Sequence, residues 1–324
     1  MSTVAVVLIG RNEGARLKAA LQSLAGHAGP VVYVDSGSTD GSAARARAAG
    51  AQVVELDTSS PFSAARARNA GFKALEEAGE TGEFVQFIDG DCALVPGWLE
   101  AGAEALANDP ALGLVTGWRA EIAPEASLYN ALCNTEWHRP AGEITTCGGD
   151  MMVRARAFRE TGGFDPRVIA AEDDDFCLRL GASGWKLRRL PLPMTRHDAA
   201  MTRFSQWWRR AERSGHGFAQ VGAAHPQHFR AERRRVLLFG ALLPLLMLAG
   251  LVAGQAWLFW LGLGAYALSY LRGFLGLIRH GLPLKGAAMQ ALLLSLSKFP
   301  NLVGMIRYHL RRLRGARMRL IEYK

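Results

Sequence analysis

Apolar and polar positions alternate with two rhythms over the first third of the chain. Val4–Ile9 is a short apolar, β-branched run, and a helical spacing follows over about 14–25. Val31–Val34 is a second such run, closed by Asp35, and Ser38-Thr39-Asp40 can cap a helix over about 41–49. The pattern repeats with a strand at Gln52–Leu56, a helix over about 64–78 opened by Ser63, and a strand at Phe84–Ile88 closed by Asp89. Pro96 suits the first turn of a helix that runs to about Ala107. Short strands alternating with helices of this length predict an α/β fold with an open, mostly parallel sheet. Gly10 and Gly14 after the first strand do not make GxGxxG, so the dinucleotide fingerprint is missing.

The second half changes character. No charged residue occurs from Val236 to Leu271, 36 positions between Arg235 and Arg272. One helix of that length would span about 54 Å at 1.5 Å per residue, against a hydrocarbon core of about 30 Å. Two helices fit better, over about 236–253 and 256–276, turning at Ala253-Gly254-Gln255. A buried hairpin in a soluble protein is the other solution, but helices apolar on every side suit lipid better. Arg230, Arg233, Arg234 and Arg235 precede the hairpin, and Arg272, Arg279 and Lys285 follow it, which predicts both ends on the cytoplasmic side. A third apolar stretch, Gly286–Met305, is broken by Lys298 and Pro300. It reads as an amphipathic helix in the interface, with the basic tail from Arg307 to Lys324 on anionic lipid. The expected organisation is a catalytic domain over 1–222, a basic linker over 223–235, a transmembrane hairpin over 236–278, and an interfacial helix with its tail over 279–324.

Charge sharpens this division. Residues 1–202 carry net −7 and residues 203–324 net +16, within a total of +9 over 324 residues. A uniformly basic nucleic-acid binder is disfavoured, and an anionic membrane surface suits the second half. The four cysteines are too scattered for a disulfide scaffold, and no CxxC marks a zinc site. The N-terminus has no basic leader, so the first 200 residues are expected in the cytoplasm.

Ligands of open α/β sheets bind outside the carboxyl ends of the strands, where Asp35 and Asp89 stand. Asp35 opens a turn of small polar residues; it suits either a plain turn or an acceptor for the ring N–H of uracil or guanine. Asp89-Gly90-Asp91 is a DxD, able to hold a hard divalent cation against a diphosphate, or again to make a turn. Glu172-Asp173-Asp174-Asp175 opens a helical run. Acids there complement the helix dipole, but four in succession exceed that need, leaving a general base or a cation partner open. Arg66, Arg68 and Asn69 can reach phosphate or ribose from an early helical turn, or face solvent. Gly148-Gly149-Asp150 permits close backbone approach, and His197 can complete a metal site or be structural. Gln206-Trp207-Trp208-Arg209-Arg210 suits a sugar diphosphate or a helix approaching a membrane.

The order of these segments resembles the family 2 glycosyltransferases of the GT-A fold, whose sheet is Rossmann-like. The likeness covers roughly residues 3–220 and rests on VVLIGRNE, VDSGSTDGS, SAARARNAGFKAL, FIDGD, GGDMMVRARAFRETGGFD and EDDDFCLRL. It implies a nucleotide-diphosphate sugar donor, UDP- or GDP-linked, a divalent metal (Mn²⁺ or Mg²⁺), and inversion at the anomeric carbon. By the same resemblance Asp35 holds the nucleobase, with Ile9, Arg11, Glu13 and Ser38 around it. Asp89 and Asp91 form the DxD and hold the metal, Asp91 directly, and Asp173 of the Glu172-Asp173 pair is the catalytic base; His197, from the residue reading above, completes the expected metal set of Asp89, Asp91 and His197. Arg66, Arg68, Asn69, Gly149, Trp208 and Arg209 fall on the donor side. Ser36 stands where the family more often has a second acid, and Arg210 where processive members have the tryptophan of QxxRW. A distributive enzyme acting on a lipid-linked glycan or glycolipid, in exopolysaccharide or cell-envelope glycan assembly, is the expectation. The rival readings are an inactive membrane-bound nucleotide-sugar binder and a sugar-1-phosphate nucleotidyltransferase, whose glycine-rich basic loop GRNEGA does not match.

Overall fold

The computed structural model describes residues 4–322; Met1–Thr3 and Lys324 of the basic tail lie outside the described residues. The chain divides into two compact units, one holding residues 4–124 and 133–200, the other 125–132 and the chain from Met201 onward. The first unit therefore closes at Ala200, ahead of the boundary at 222 read from the sequence.

In the first unit the strands are β1 Ala5–Gly10, β2 Val31–Asp35, β3 Gln52–Glu55, β4 Phe84–Asp89, β5 Cys92–Leu94, β6 Leu112–Glu121, β7 Gly142–Ile144, β8 Met151–Arg154 and β9 Lys186–His197. They form one mixed sheet in the order β3-β2-β1-β4-β8-β6-β9-β5, with β7 added against β9. The strands β3, β2, β1 and β4 are parallel, and their register aligns Gly10 with Asp35 and Ile9 with Asp89. Two acids thus flank the end of β1. Strand β8 runs antiparallel to β4, so the segment before it, ending at Asp150, arrives beside the end of β4.

Side chains alternate across the pleat. Val7, Ile9, Val85 and Phe87 join Phe72, Phe158, Phe164 and Phe176 in one core layer, while Val6, Leu8, Phe84 and Ile88 join Leu17, Trp98 and Met152 in the other. Both faces of the central strands are covered, which is why they read as unbroken apolar runs. Each such side chain contributes about 1.5–3 kcal/mol when fully buried. The helix Ala64–Glu77 lies close on β1, for a Cβ at Gly71 would sit 2.3 Å from Val7 Cγ1. Its Ser63 cap is made: Ser63 Oγ accepts from Arg66 N at 3.3 Å. The cap expected from Ser38-Thr39-Asp40 is not made: the helix Ser42–Ala48 is capped by Gly41 without a side-chain bond, and Asp40 Oδ1, one position ahead, accepts from Ser42 N at 3.0 Å. The run read as Trp185–Leu190 continues as β9 to His197, through Pro191 and Pro193, with register shifts opposite Trp118. Prolines mark strand ends or irregular pairing, which hid this extension.

The second unit is helical. The helix Phe204–Ala224 packs on Lys298–Leu313 so closely that a Cβ at Gly304 would lie 2.0 Å from the Glu212 carbonyl oxygen. Arg307 pairs with the buried Glu212 in this seam. Three stretches are long and apolar enough to cross a membrane: Arg230–Val252, Ala256–Arg279 and Leu284–Leu313. The first contains a π-helical turn at Leu238–Leu242, and the turn between the first two falls at 253–255. The third is 30 residues long, with its helices parting at Ser297. Leu245, Leu248, Val252, Trp257 and Trp260 are all exposed, as a lipid-facing surface would be.

Candidate active site

The ends of β4 and β6, the turn before β8 and the helices Ala64–Glu77 and Glu172–Ala182 bring three acids, Asp89, Asp150 and Glu172, together with Arg68 and Arg119. Asp89 Oδ1 accepts from Arg68 Nη2 at 2.7 Å, and its backbone N–H donates to Asp150 Oδ1 at 3.0 Å. Arg119 Nη2 lies 2.7 Å from Asp150 Oδ2 and 3.8 Å from Asp89 Oδ2. Thr195 Oγ1 donates to the same Asp150 Oδ2 at 2.9 Å. Arg68 is 2% exposed, and its Nη1 donates to Glu172 Oε1 at 2.9 Å. One guanidinium therefore bridges the first DxD acid to the acidic helix Glu172–Ala182. Glycine at 149 makes room for it: a Cβ there would fall 2.0 Å from Arg68 Nη2.

Asp91 faces the opposite way along the turn. Its Oδ2 lies 3.3 Å from His197 Nε2, because β5 pairs antiparallel with β9 and sets Cys92 opposite His197. His197 Nδ1 is 3.9 Å from Glu121 Oε2, and the imidazole ring packs edge-on against Trp137, centroids 4.5 Å apart. Burial lowers the His197 pKa, partly opposed by Glu121, and so favours the neutral imidazole that a metal requires.

Asp91, Cys92 and His197 come within ligand range of one another, as do Asp89, Cys92 and Asp150. Burial, then the charge of Asp150, push the Cys92 thiol up, so it stays an S–H and offers no thiolate. The second group already holds the Arg119 guanidinium on Asp150. Asp91 oxygen and His197 nitrogen remain; the carboxylate suits Mn²⁺ or Mg²⁺, and the imidazole beside it favours a transition ion such as Mn²⁺ over Mg²⁺.

Asp173 stands one residue past Glu172 and is half-buried, its Oδ1 accepting from Asp174 N at 3.0 Å. Burial, then the carboxylates of Glu172 and Asp174, push its carboxyl well above the ordinary value. Asp89 is the reverse case: against the cost of burial, Arg68 and Arg119 hold it at about 2. Two acids of one site are thus driven apart, one kept charged and one made basic. If Asp173 is the base, kcat/KM loses activity on the acid side as this carboxylate is protonated, at a pH above the usual range near 4. A pH–rate profile with its acid limb at 4 or below would count against that role.

On the other side of β4, Asp35 Oδ2 accepts from Gly37 N at 3.0 Å and Ser38 N at 2.7 Å, and Oδ1 from the Tyr33 hydroxyl at 3.1 Å. Ser38 Oγ accepts from Asn12 N at 2.9 Å, and Asn12 Oδ1 accepts from Thr39 N at 2.8 Å. The loops after β1 and β2 are therefore laced into one wall. Ile9 precedes Gly10 at the end of β1 and is buried in the core layer beneath this wall, and Arg11 lies over the Phe62 ring at 4.5 Å. Glu13 pairs with Arg16 at 2.9 Å and packs on Gly10 and Gly90.

Other expected residues serve the scaffold. Arg66 donates to the carbonyls of Asp57, Ser60 and Pro61, closing the loop before its helix. Asn69 exchanges two hydrogen bonds with the backbone of Phe164, at 2.7 and 2.9 Å. Trp208 and Arg209 belong to the helical unit, where Trp208 packs with the buried Leu132, Trp207 and Leu293, and Arg209 is exposed. Arg119, Asp150, Asn12 and Glu121 were not foreseen as site residues. Asp150 closes the GGD segment that the sequence marked only for its glycines, and Arg119 carried no local signal.

Residues 5–160 match the family model described as glycosyl transferase family 2, and residues 84–278 match that of glycosyl transferase family group 2. The chain is 29% identical over 157 residues to the pre-mycofactocin glycosyltransferase of Mycobacterium tuberculosis (strain ATCC 25618 / H37Rv), which covers 45% of this chain and 33% of that protein. It thus spans about a third of the length of the curated relatives it matches. Among solved structures, the mannosyltransferase PcManGT from Pyrobaculum calidifontis, in complex with GDP-Man and Mn²⁺, aligns with a TM-score of 0.58 at 19% identity over 96% of this chain and 87% of that one. S. aureus TarS 1-349 aligns at 0.52 and 17% identity, over 95% and 92%. These structural likenesses show the GT-A fold. With the second family model alone matching more than half of its length, the chain belongs to the family 2 glycosyltransferases.

Proposed function

We propose that the protein transfers one sugar, with inversion, from a UDP- or GDP-linked donor to a hydroxyl of a lipid-linked glycan or glycolipid at the cytoplasmic face of a membrane. The observation that carries the reading is the pairing, at one end of the sheet, of the hard-cation ligands Asp91 and His197 with the raised carboxylate of Asp173. The donor's base lies in the wall of Ile9, Arg11, Glu13, Asp35 and Ser38, and its diphosphate reaches Asp91 and His197. Asp91 and His197 would hold a divalent cation, which would supply positive charge against the leaving diphosphate. Asp173 takes the proton of the acceptor hydroxyl as its oxygen bonds to C1 and the bond from C1 to the diphosphate oxygen breaks. Glu172 is held by Arg68, which fits a positioning role beside Asp173. The PcManGT complex with GDP-Man and Mn²⁺ supports this type of donor and metal.

Asp91→Asn separates metal from fold. Titration calorimetry with UDP and GDP is expected to show Mn²⁺-strengthened binding in the wild type and at least a tenfold loss of that strengthening in the variant. Equal Mn²⁺ dependence in both proteins would remove Asp91 from the metal site.

The three apolar helices and the excess of 16 positive charges from residue 203 onward support a lipid acceptor at an anionic cytoplasmic leaflet. With the first two helices as the spanning hairpin and the third in the interface, the basic tail lies on that same leaflet. Incubating membranes with radiolabelled donor is expected to place the label in the organic extract. Label confined to water-soluble product would overturn the lipid acceptor.

A further inference from the structure

Neither the metal-type ligands nor the base accounts for the aromatic residues beside them. Trp137 ends the helix Leu128–Trp137. Its ring lies 4.5 Å from the His197 ring at 79°, and the Arg119 guanidinium carbon is 5.5 Å from its centroid. The indole stays part-exposed after both contacts. The segment that follows is pinned from the sheet. Trp118 Nε1–H donates to the Arg139 carbonyl at 2.9 Å while its ring stacks on His138 at 5.2 Å, and Arg189 Nη1 donates to the Pro140 carbonyl at 3.2 Å. His138, Arg139 and Glu143 are nonetheless exposed. This is a fixed rim with exposed polar ends, next to an aromatic ring; Arg139 Nε donates to the Glu136 carbonyl at 3.2 Å and Glu143 lies 3.6 Å from Lys186 Nζ.

The strand order says which substrate meets it. Asp35 lies on β2, to one side of β4, and Trp137 packs on residues of β6 and β9, to the other. A donor with its base at Asp35 and its diphosphate at Asp91 and His197 fills the first side and the middle. The side beyond the metal ligands is then left to the second substrate. A Cβ at Gly148 would lie 3.9 Å from both Arg119 Nη2 and Asp173 Oδ2, so the two flank the same glycine. The Arg119 guanidinium therefore packs on Trp137 and faces the glycine that Asp173 also faces.

We infer that Trp137 and the rim 138–143 form the acceptor subsite and take a pyranose ring of the acceptor glycan. One face of a pyranose is a patch of C–H groups whose slight positive charge suits the negative face of an indole. Its hydroxyls point outward at the ring edge, where His138, Arg139 and Glu143 offer donors and acceptors. An indole has few rotors to freeze, so it costs little entropy as a platform.

This inference rests on the transferase reading, and the experiment keeps the two apart. The full-length protein is purified in a sugar-free detergent such as lauryldimethylamine oxide, with Mn²⁺ and saturating UDP or GDP. Saturation-transfer NMR is then read on the ring protons of methyl α-D-mannopyranoside, methyl β-D-glucopyranoside and methyl β-D-galactopyranoside. Transfer to at least one glycoside is expected, falling at least fivefold in Trp137→Leu and kept above half in Trp137→Phe. Calorimetry with the nucleoside diphosphate verifies that each variant is folded. No transfer in the wild type, or equal transfer in Trp137→Leu, overturns the subsite while the donor reading stands. A Trp137→Leu variant that loses nucleotide affinity and keeps the glycoside signal assigns the ring to the donor and also overturns it. If neither UDP nor GDP binds the wild type, the transferase reading falls and the subsite with it.

Discussion

Asp173→Asn is expected to lower turnover by about 10²–10⁴-fold, the usual contribution of a positioned general base. Donor affinity should hardly change. Asparagine keeps the size of the side chain and can still accept from Asp174 N, the one hydrogen bond made by Asp173 Oδ1. It cannot take a proton. The loss should therefore fall on kcat, with the calorimetric affinity for UDP or GDP plus Mn²⁺ within about twofold of wild type. Glu172→Gln makes the comparison sharp. Glu172 is buried and bonded to Arg68, so its replacement disturbs the scaffold and should lower thermal stability, which Asp173→Asn should not. Near-normal turnover in Asp173→Asn would remove it as the base. A fall in both turnover and stability would class it with Glu172 instead.

How far the sequence foretold this site follows from where the information lies. Asp35, Asp89 and Asp91 were legible because parallel strands announce themselves as apolar runs, and each run ends in an acid. Their partners were not. Asp150 reaches Asp89 only because β8 runs antiparallel beside β4, and Arg119 reaches both because β6 lies next to β8. No local pattern encodes that order. The arginines of the third helix teach a different lesson. Arg66 and Arg68 are two positions apart, roughly 200° around a helix, so they leave it in different directions. Arg68 faces the acids, and Arg66 turns to the loop before the helix. Periodicity held that distinction from the start. Asp35 sits between the two readings open to it, for its carboxylate does organise its own turn and stands in the wall laced by Asn12.

Arg68→Met should be the most destabilising single change in the first unit. Arg68 has almost no exposure, and its two ion pairs, 2.7 Å to Asp89 and 2.9 Å to Glu172, tie β4 to the acidic helix through the core. Methionine fills much of the volume but leaves Glu172 buried with no cation, and Asp89 with only Arg119 at 3.8 Å. Breaking a buried pair in this way costs about 3–5 kcal/mol, since the remaining charge is stranded rather than resolvated. In a unit of this size each kcal/mol lowers Tm by about 2–4 °C, so a drop of about 6–20 °C is expected. Adding Glu172→Gln should recover part of it, because the stranded charge is then gone. Acid unfolding supplies an independent check. Asp89 is held at about 2, below its unfolded value of about 3.9, so it stabilises the fold above pH 4 and that help fades as pH falls toward 2. Without Arg68 the Asp89 pKa moves up, and the acid-side fall in stability between pH 4 and 2 becomes shallower. A Tm within 2 °C of wild type would mean the bridge contributes nothing net, and Arg68 would then matter only for aiming Asp89 and Glu172 at the site.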